Sequence, residues 1–127
     1  MHQGKGWRRG MADDEFKILR KVQDMMKYAY PLLHQFPKVE KFSLAADIRR
    51  TMDQVLEYTI LVQKKSNKTS ALEKLDIENE KLKAYILLAY ELHYIDKHRL
   101  GVWSGKAVEI GKMIGGYIRS VGGKPKS

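Results

Sequence analysis

Apolar positions recur with a helical period along most of the chain. Phe16, Leu19, Val22, Met26, Ala29 and Leu33 are spaced by three and four, which marks the apolar face of a first helix over Asp13–Phe36. Asp13, Asp14 and Glu15 stand at its start, where carboxylates favour the positive end of the helix dipole. Pro31 lies inside the pattern and predicts a kink near Lys27–Tyr30, and Pro37 stops the helix or marks the following loop. Leu44, Ile48, Met52, Val55, Thr59 and Val62 give a second helix, from an N-cap at Ser43 to about Lys65. A third runs over about Ala71–His98, opening on a capping box of Ser70 and Glu73 and stopping at Lys97, His98, Arg99 and Gly101. A fourth covers about Ser104–Val121, with Ala107, Ile110, Ile114, Tyr117 and Val121 on one face, and ends at Gly122, Gly123 and Pro125. No segment alternates as a strand does. The pattern therefore predicts an all-α, antiparallel up-down-up-down four-helix bundle over residues 13–122. Residues 1–12 read as a flexible basic arm, an appended remnant or an upstream-start extension, and residues 123–127 as a basic tail.

Two stretches are apolar beyond one stripe. Only Glu57 is charged between Val55 and Val62, and only Glu91 and His93 are clearly polar between Ala84 and Ile95. Such helices need burial on more than one side, which a second subunit supplies. The competing reading is a thick core with exposed tyrosines. We expect self-association; this pattern does not set the number of subunits. Gly111, Gly115 and Gly116 each cost the fourth helix about 1 kcal/mol relative to alanine. Close approach to a neighbouring helix explains them more simply than a ligand site.

Charge narrows the function class. The 127 residues carry 24 Lys and Arg against 15 Asp and Glu, a net charge of +9. That points to a polyanionic partner without naming it. By segment, residues 1–10 carry +3, 11–42 carry +1, 43–68 carry +2, 69–99 carry −1 and 100–127 carry +4. There is no cysteine, which excludes disulfides, thiolate metal sites and thiol catalysis. The longest apolar run, Ala84–Tyr90, is far below the length of a membrane span. The composition reads as a soluble cytoplasmic protein.

Phosphate-loop and metal-site motifs are missing from the sequence; composition leaves Ser-His-Asp catalysis open, but nothing places such residues together. The string Gly101–Ala107 has one residue too few between its glycines and no hydroxyl after Lys106, so it is no phosphate loop. A di-iron bundle needs Glu-x-x-His pairs, and Glu91 and His93 are only two apart. His34, His93 and His98 share no metal-ligand spacing. We expect neither enzymatic activity nor a cofactor or metal. What remains is a set of cations: Arg49 and Arg50 at one end of the second helix, Lys64, Lys65 and Lys68 at the other, and Lys112 and Arg119 on one face of the fourth. Singly, each is best read as part of a solvated face. As a set, they are the candidate nucleic-acid contacts, suited to phosphates with little base selectivity.

Three stretches resemble a known family. They are Tyr30-Pro31-Leu32-Leu33 through Phe36-Pro37-Lys38 with Phe42-Ser43-Leu44 and Ile48-Arg49-Arg50; Lys65-Ser66-Asn67-Lys68 with Leu72 and Leu75-Asp76; and Glu109-Ile110-Gly111-Lys112-Met113-Ile114-Gly115-Gly116-Tyr117-Ile118. Together, over residues 14–121, they resemble the accessory variability determinant (Avd) proteins of diversity-generating retroelements. These are grouped with small bundle proteins encoded in ribosomal RNA intervening sequences. That second branch usually has a proline-containing stretch ending in Asn-Ile-Ala-Glu-Gly after the arginine pair. Here Thr51–Tyr58 is unbroken, which favours the Avd branch. The resemblance implies a homopentamer around a basic pore and no catalytic activity. It also implies binding to the retroelement's reverse transcriptase, its template-repeat RNA and cDNA, in support of mutagenic copying. The alternative is a structural or interaction oligomer of the intervening-sequence type, with no dedicated nucleic-acid role.

Overall fold

The structure is a computed structural model and describes residues 11–64 and 68–121. It contains four helices, α1 (Met11–His34), α2 (Leu44–Lys64), α3 (Thr69–Glu91) and α4 (Lys97–Ser120), with a short 3-10 turn at Lys38–Glu40. No strand occurs among the described residues. Each helix packs on the next and α4 packs back on α1, while the backbones of the diagonal pairs stay apart. This is the expected antiparallel square. Of the expected arm over residues 1–12, residues 1–10 lie outside the described residues and residues 11 and 12 already belong to α1; the tail and the stop signal at residues 122–127, and residues 65–67, also lie outside them.

The core follows the predicted faces closely in α2 and α4. Leu44, Ile48, Met52, Val55, Thr59 and Val62 are all buried, as are Ala107, Ile110, Ile114 and Tyr117. Thr59 tolerates its core position because its hydroxyl donates to the Val55 carbonyl at 2.7 Å. In α1 the buried face is rotated from the expected one. Ile18, Val22, Met25, Ala29, Leu32, Leu33 and Phe36 point inward, while Phe16 is 55% exposed. The α1 helix continues through Pro31 and closes three residues later, at His34.

Two helix ends differ from expectation. The third helix stops at Glu91, not at His98, and α4 begins at Lys97. His93 takes the left-handed conformation, with φ 67°. The Tyr94 amide donates to the Ala89 carbonyl and the His93 amide to the Tyr90 carbonyl, each at 2.9 Å, which is a Schellman closure without glycine. Asp96 then caps α4 by accepting from the Arg99 amide at 2.8 Å. The basic run Lys97–Arg99 thus opens a helix rather than closing one. At the start of α3, Lys68 precedes the helix and no side chain caps it, so Ser70 sits inside the first turn and the expected capping box does not form.

The start of α2 is capped from outside. Glu40 Oε1 accepts from the Leu44 amide at 3.1 Å and from the Ser43 hydroxyl at 2.6 Å. Glu40 Oε2 accepts from the Tyr94 hydroxyl at 2.6 Å. The Tyr94 ring also packs on Phe36, with centroids 5.2 Å apart. The α1–α2 corner and the α3–α4 corner are therefore fastened together at one end of the bundle.

Candidate functional site

The candidate cations fall into separate groups. Arg49 and Arg50 lie in the second turn of α2, beside the fastened corner; Lys64 and Lys68 lie at the opposite end. Lys112 and Arg119 lie on α4. Lys65 lies outside the described residues. Arg50 pairs with Asp47 at 2.8 Å. Lys68 turns back to donate to the Val62 carbonyl near the end of α2, a use of a lysine that satisfies helix-end acceptors. Arg49, Lys64, Lys112 and Arg119 pair with no carboxylate among the described residues.

Two grooves collect Arg49, Lys112 and Arg119 with other cations that periodicity did not single out, while Arg50, Lys64 and Lys68 line neither. The first, about 290 Å³, opens where α1 meets α2 and is lined by His34, Phe36, Pro37, Lys38, Lys41 and Arg49. The second, about 330 Å³, lies between α3 and α4 and brings Lys83, itself paired with Glu80 at 2.8 Å, to Lys112 and Arg119 over Gly111 and Gly115. In the square arrangement the α1–α2 and α3–α4 edges are on opposite sides. One chain therefore presents two basic grooves, not one continuous surface. The missed cations had a signal: Lys38 and Lys41 alternate with apolar Val39 and Phe42 between Pro37 and the start of α2.

Electrostatics separate the free cations from the structural ones. The α1–α4 seam is tied by Lys106 to Asp24 at 2.8 Å and by Lys21 to Glu109 at 3.1 Å. The hydrogen bond and charge of Lys106 hold the Asp24 carboxyl below its ordinary range. Hydrogen bonds from Ser43, then Tyr94 and the Leu44 amide, do the same for Glu40, and the Glu40 partner raises Tyr94. Burial, followed by the nearby charge of Glu80, raises Asp76. No group of His, Asp and Glu able to hold a metal occurs among the described residues. No helix among them is long and apolar enough to cross a membrane.

The glycines of α4 have different reasons. A Cβ on Gly111 would stand 3.3 Å from the Asn79 amide nitrogen of α3. Asn79 is fully buried and donates to the Ala107 carbonyl at 3.0 Å. Gly111 therefore does mark a close helix approach. Around Gly115 and Gly116 the nearest neighbour is the Arg119 guanidinium, at ordinary contact distances of 3.7 and 3.9 Å.

The apolar excess of the second helix is largely absorbed by the core: of the apolar residues in Val55–Val62 only Ile60 remains exposed. That of the third is not. Ile77 is 63% exposed, and Leu87, Leu88 and Leu92 are exposed too.

Fold and surface together define a small helical bundle with two basic grooves, one of them without an acidic lining residue, and an apolar outer face on α3. Over residues 16–121 the chain matches the bAvd-like family model. It belongs to that family, the Avd-type proteins of diversity-generating retroelements. In keeping with this branch, α2 passes through Thr51–Tyr58 without a break. No curated protein matches the chain.

Proposed function

We propose that this protein is a non-catalytic accessory subunit of a diversity-generating retroelement. In this reading it self-associates, as a pentamer, and binds the retroelement's reverse transcriptase together with template-repeat RNA and cDNA. The family match over residues 16–121 carries the accessory role. Support for a nucleic-acid role comes from cations that form no ion pair among the described residues, Arg49 at one groove and Lys112 and Arg119 at the other. Phosphates meet such rows without base selectivity, and the bound counterions they release make the affinity fall with salt. Support for self-association comes from the exposed apolar face of α3, since exposed apolar residues gathered on one face mark contact sites.

The deciding experiment is co-purification of the protein with the cognate reverse transcriptase and template RNA. We expect a ternary complex whose RNA affinity drops steeply between roughly 50 and 200 mM salt. Salt-independent RNA binding would remove the electrostatic mechanism. Light scattering should give a mass of several subunits, and a monodisperse monomer at micromolar concentration would remove the oligomer.

A further inference from the structure

The corner between α1 and α2 has a surface that its fold does not require. After Pro37 the chain makes a 3-10 turn and enters α2 seven residues later. Within this short segment Val39 is 81% exposed and Phe42 is 86% exposed. A phenylalanine left this open forgoes nearly all of the burial that its ring could gain. It is not needed to close the corner, because Phe36 and Tyr94 already do so.

The charges around it are arranged with one sign outward. Lys38, Lys41 and Arg49 line the groove together with His34, and none of its lining residues is acidic. Glu40, the only carboxylate between Pro37 and Ser43, is turned to Ser43, Leu44 and Tyr94 instead. Lys41 Nζ stands 5.4 Å from the Phe42 ring centroid, so one cation is held at the aromatic group itself. A flat hydrophobic ring beside unpaired cations matches what single-stranded nucleic acid offers, unstacked bases alternating with phosphates. Protein interfaces instead tend to deplete lysine at their cores.

We infer that this corner is a single-strand-selective nucleic-acid subsite, in which Phe42 stacks on an unpaired base while Lys38, Lys41 and Arg49 hold the adjoining phosphates. The inference rests on the nucleic-acid role proposed above and adds selectivity to it. Duplex bases are already stacked and offer the ring nothing, so only the cations would act on a duplex.

The test is fluorescence polarisation with a single-stranded RNA of about 20 nucleotides and a duplex of equal length, above the span typical of such grooves. Phe42→Ala should weaken single-strand binding by about 5- to 150-fold, the usual effect of losing one stacked base, and leave duplex binding unchanged. Phe42→Trp should restore it. Replacing Lys38, Lys41 and Arg49 with alanine should weaken both ligands and reduce the single-strand salt slope by about two. Equal single-strand affinity in Phe42→Ala and wild type overturns the inference and leaves the accessory reading standing. Equal loss for both ligands also overturns it, since stacking would not then be the cause. Loss of the reverse transcriptase from the complex with RNA affinity intact makes the corner a protein dock, and the subsite fails. No binding of either ligand by wild type removes the nucleic-acid reading itself.

Discussion

Replacing two glycines of α4 should move stability in opposite directions. Gly105 lies inside the helix, and a Cβ built there meets nothing within 4 Å. Gly105→Ala should therefore gain the helix-propensity difference alone, about 0.8–1.0 kcal/mol. For a chain of this size that is about 3–5 °C in Tm. Gly111→Ala gains the same propensity, but its Cβ would stand 3.3 Å from Asn79 Nδ2. That nitrogen is fixed by its 3.0 Å bond to the Ala107 carbonyl, and Asn79 is fully buried. Displacing it weakens a bond worth about 0.5–1.5 kcal/mol and strains a donor whose desolvation costs about 1–3 kcal/mol. The loss outweighs the gain, so Gly111→Ala should be destabilising by about 1 kcal/mol. Urea denaturation followed by circular dichroism measures both, at two protein concentrations so that any coupling to assembly is seen. A double-mutant cycle adds the decisive arm: in an Asn79→Ala background, Gly111→Ala should recover a stabilising sign. If Gly111→Ala stays destabilising there, contact with Asn79 is not what keeps this glycine.

Other expectations follow from single contacts. Glu40 is held below its ordinary pKa, so its contribution is fully present above the unfolded carboxylate value and is lost as pH falls through the lowered folded value. Glu40→Gln should lower Tm at neutral pH and flatten the acid limb of a Tm-against-pH series. An unchanged limb would show that the corner network does not titrate with folding. His93→Gly should raise stability by about 0.5–1 kcal/mol in thermal melts, because φ 67° carries a steric cost that glycine avoids while losing more chain entropy. Lys112→Ala and Arg119→Ala should each weaken RNA binding evenly across sequences and lower the salt slope by about one, read by polarisation titrations at several salt concentrations.

The parts of this molecule legible in its sequence were those set by periodicity. The buried faces of α2 and α4 follow directly from spacings of three and four, because one core decides them. Phe16 fits the period yet stays exposed, since an apolar residue at a helix end matches the period whether or not a neighbour covers it. The α3–α4 boundary was hidden because its signal is conformational. His93 takes the left-handed position usually given to glycine, and the apolar run continues past it to Ile95, which is buried from the loop. Ser70 satisfied the pattern of a capping box, but Thr69 already lies in the helix. The candidate cations were readable as types, not as a surface. Only packing joins Lys83 of α3 to Lys112 and Arg119 of α4, and only the 3-10 turn brings Lys38 and Lys41 to Arg49.

The distribution of surface types constrains how copies of this chain could meet. Ile77, Ala84 and Leu88 each stand two residues beyond a buried position of α3, namely Leu75, Leu82 and Ile86, and hence about 200° round the helix from the core. They form an outward strip that the single bundle leaves uncovered. The α1–α4 seam is the contrasting case. Covering Lys106–Asp24 and Lys21–Glu109 would remove two ion pairs from water, at a desolvation cost. Contact through α3 is therefore the favourable choice. The corner carrying Phe42 lies at the end of the bundle, so it stays open when the middle of α3 is covered. Assembly and single-strand capture would then use different parts of the same subunit, and each added copy would bring another open corner.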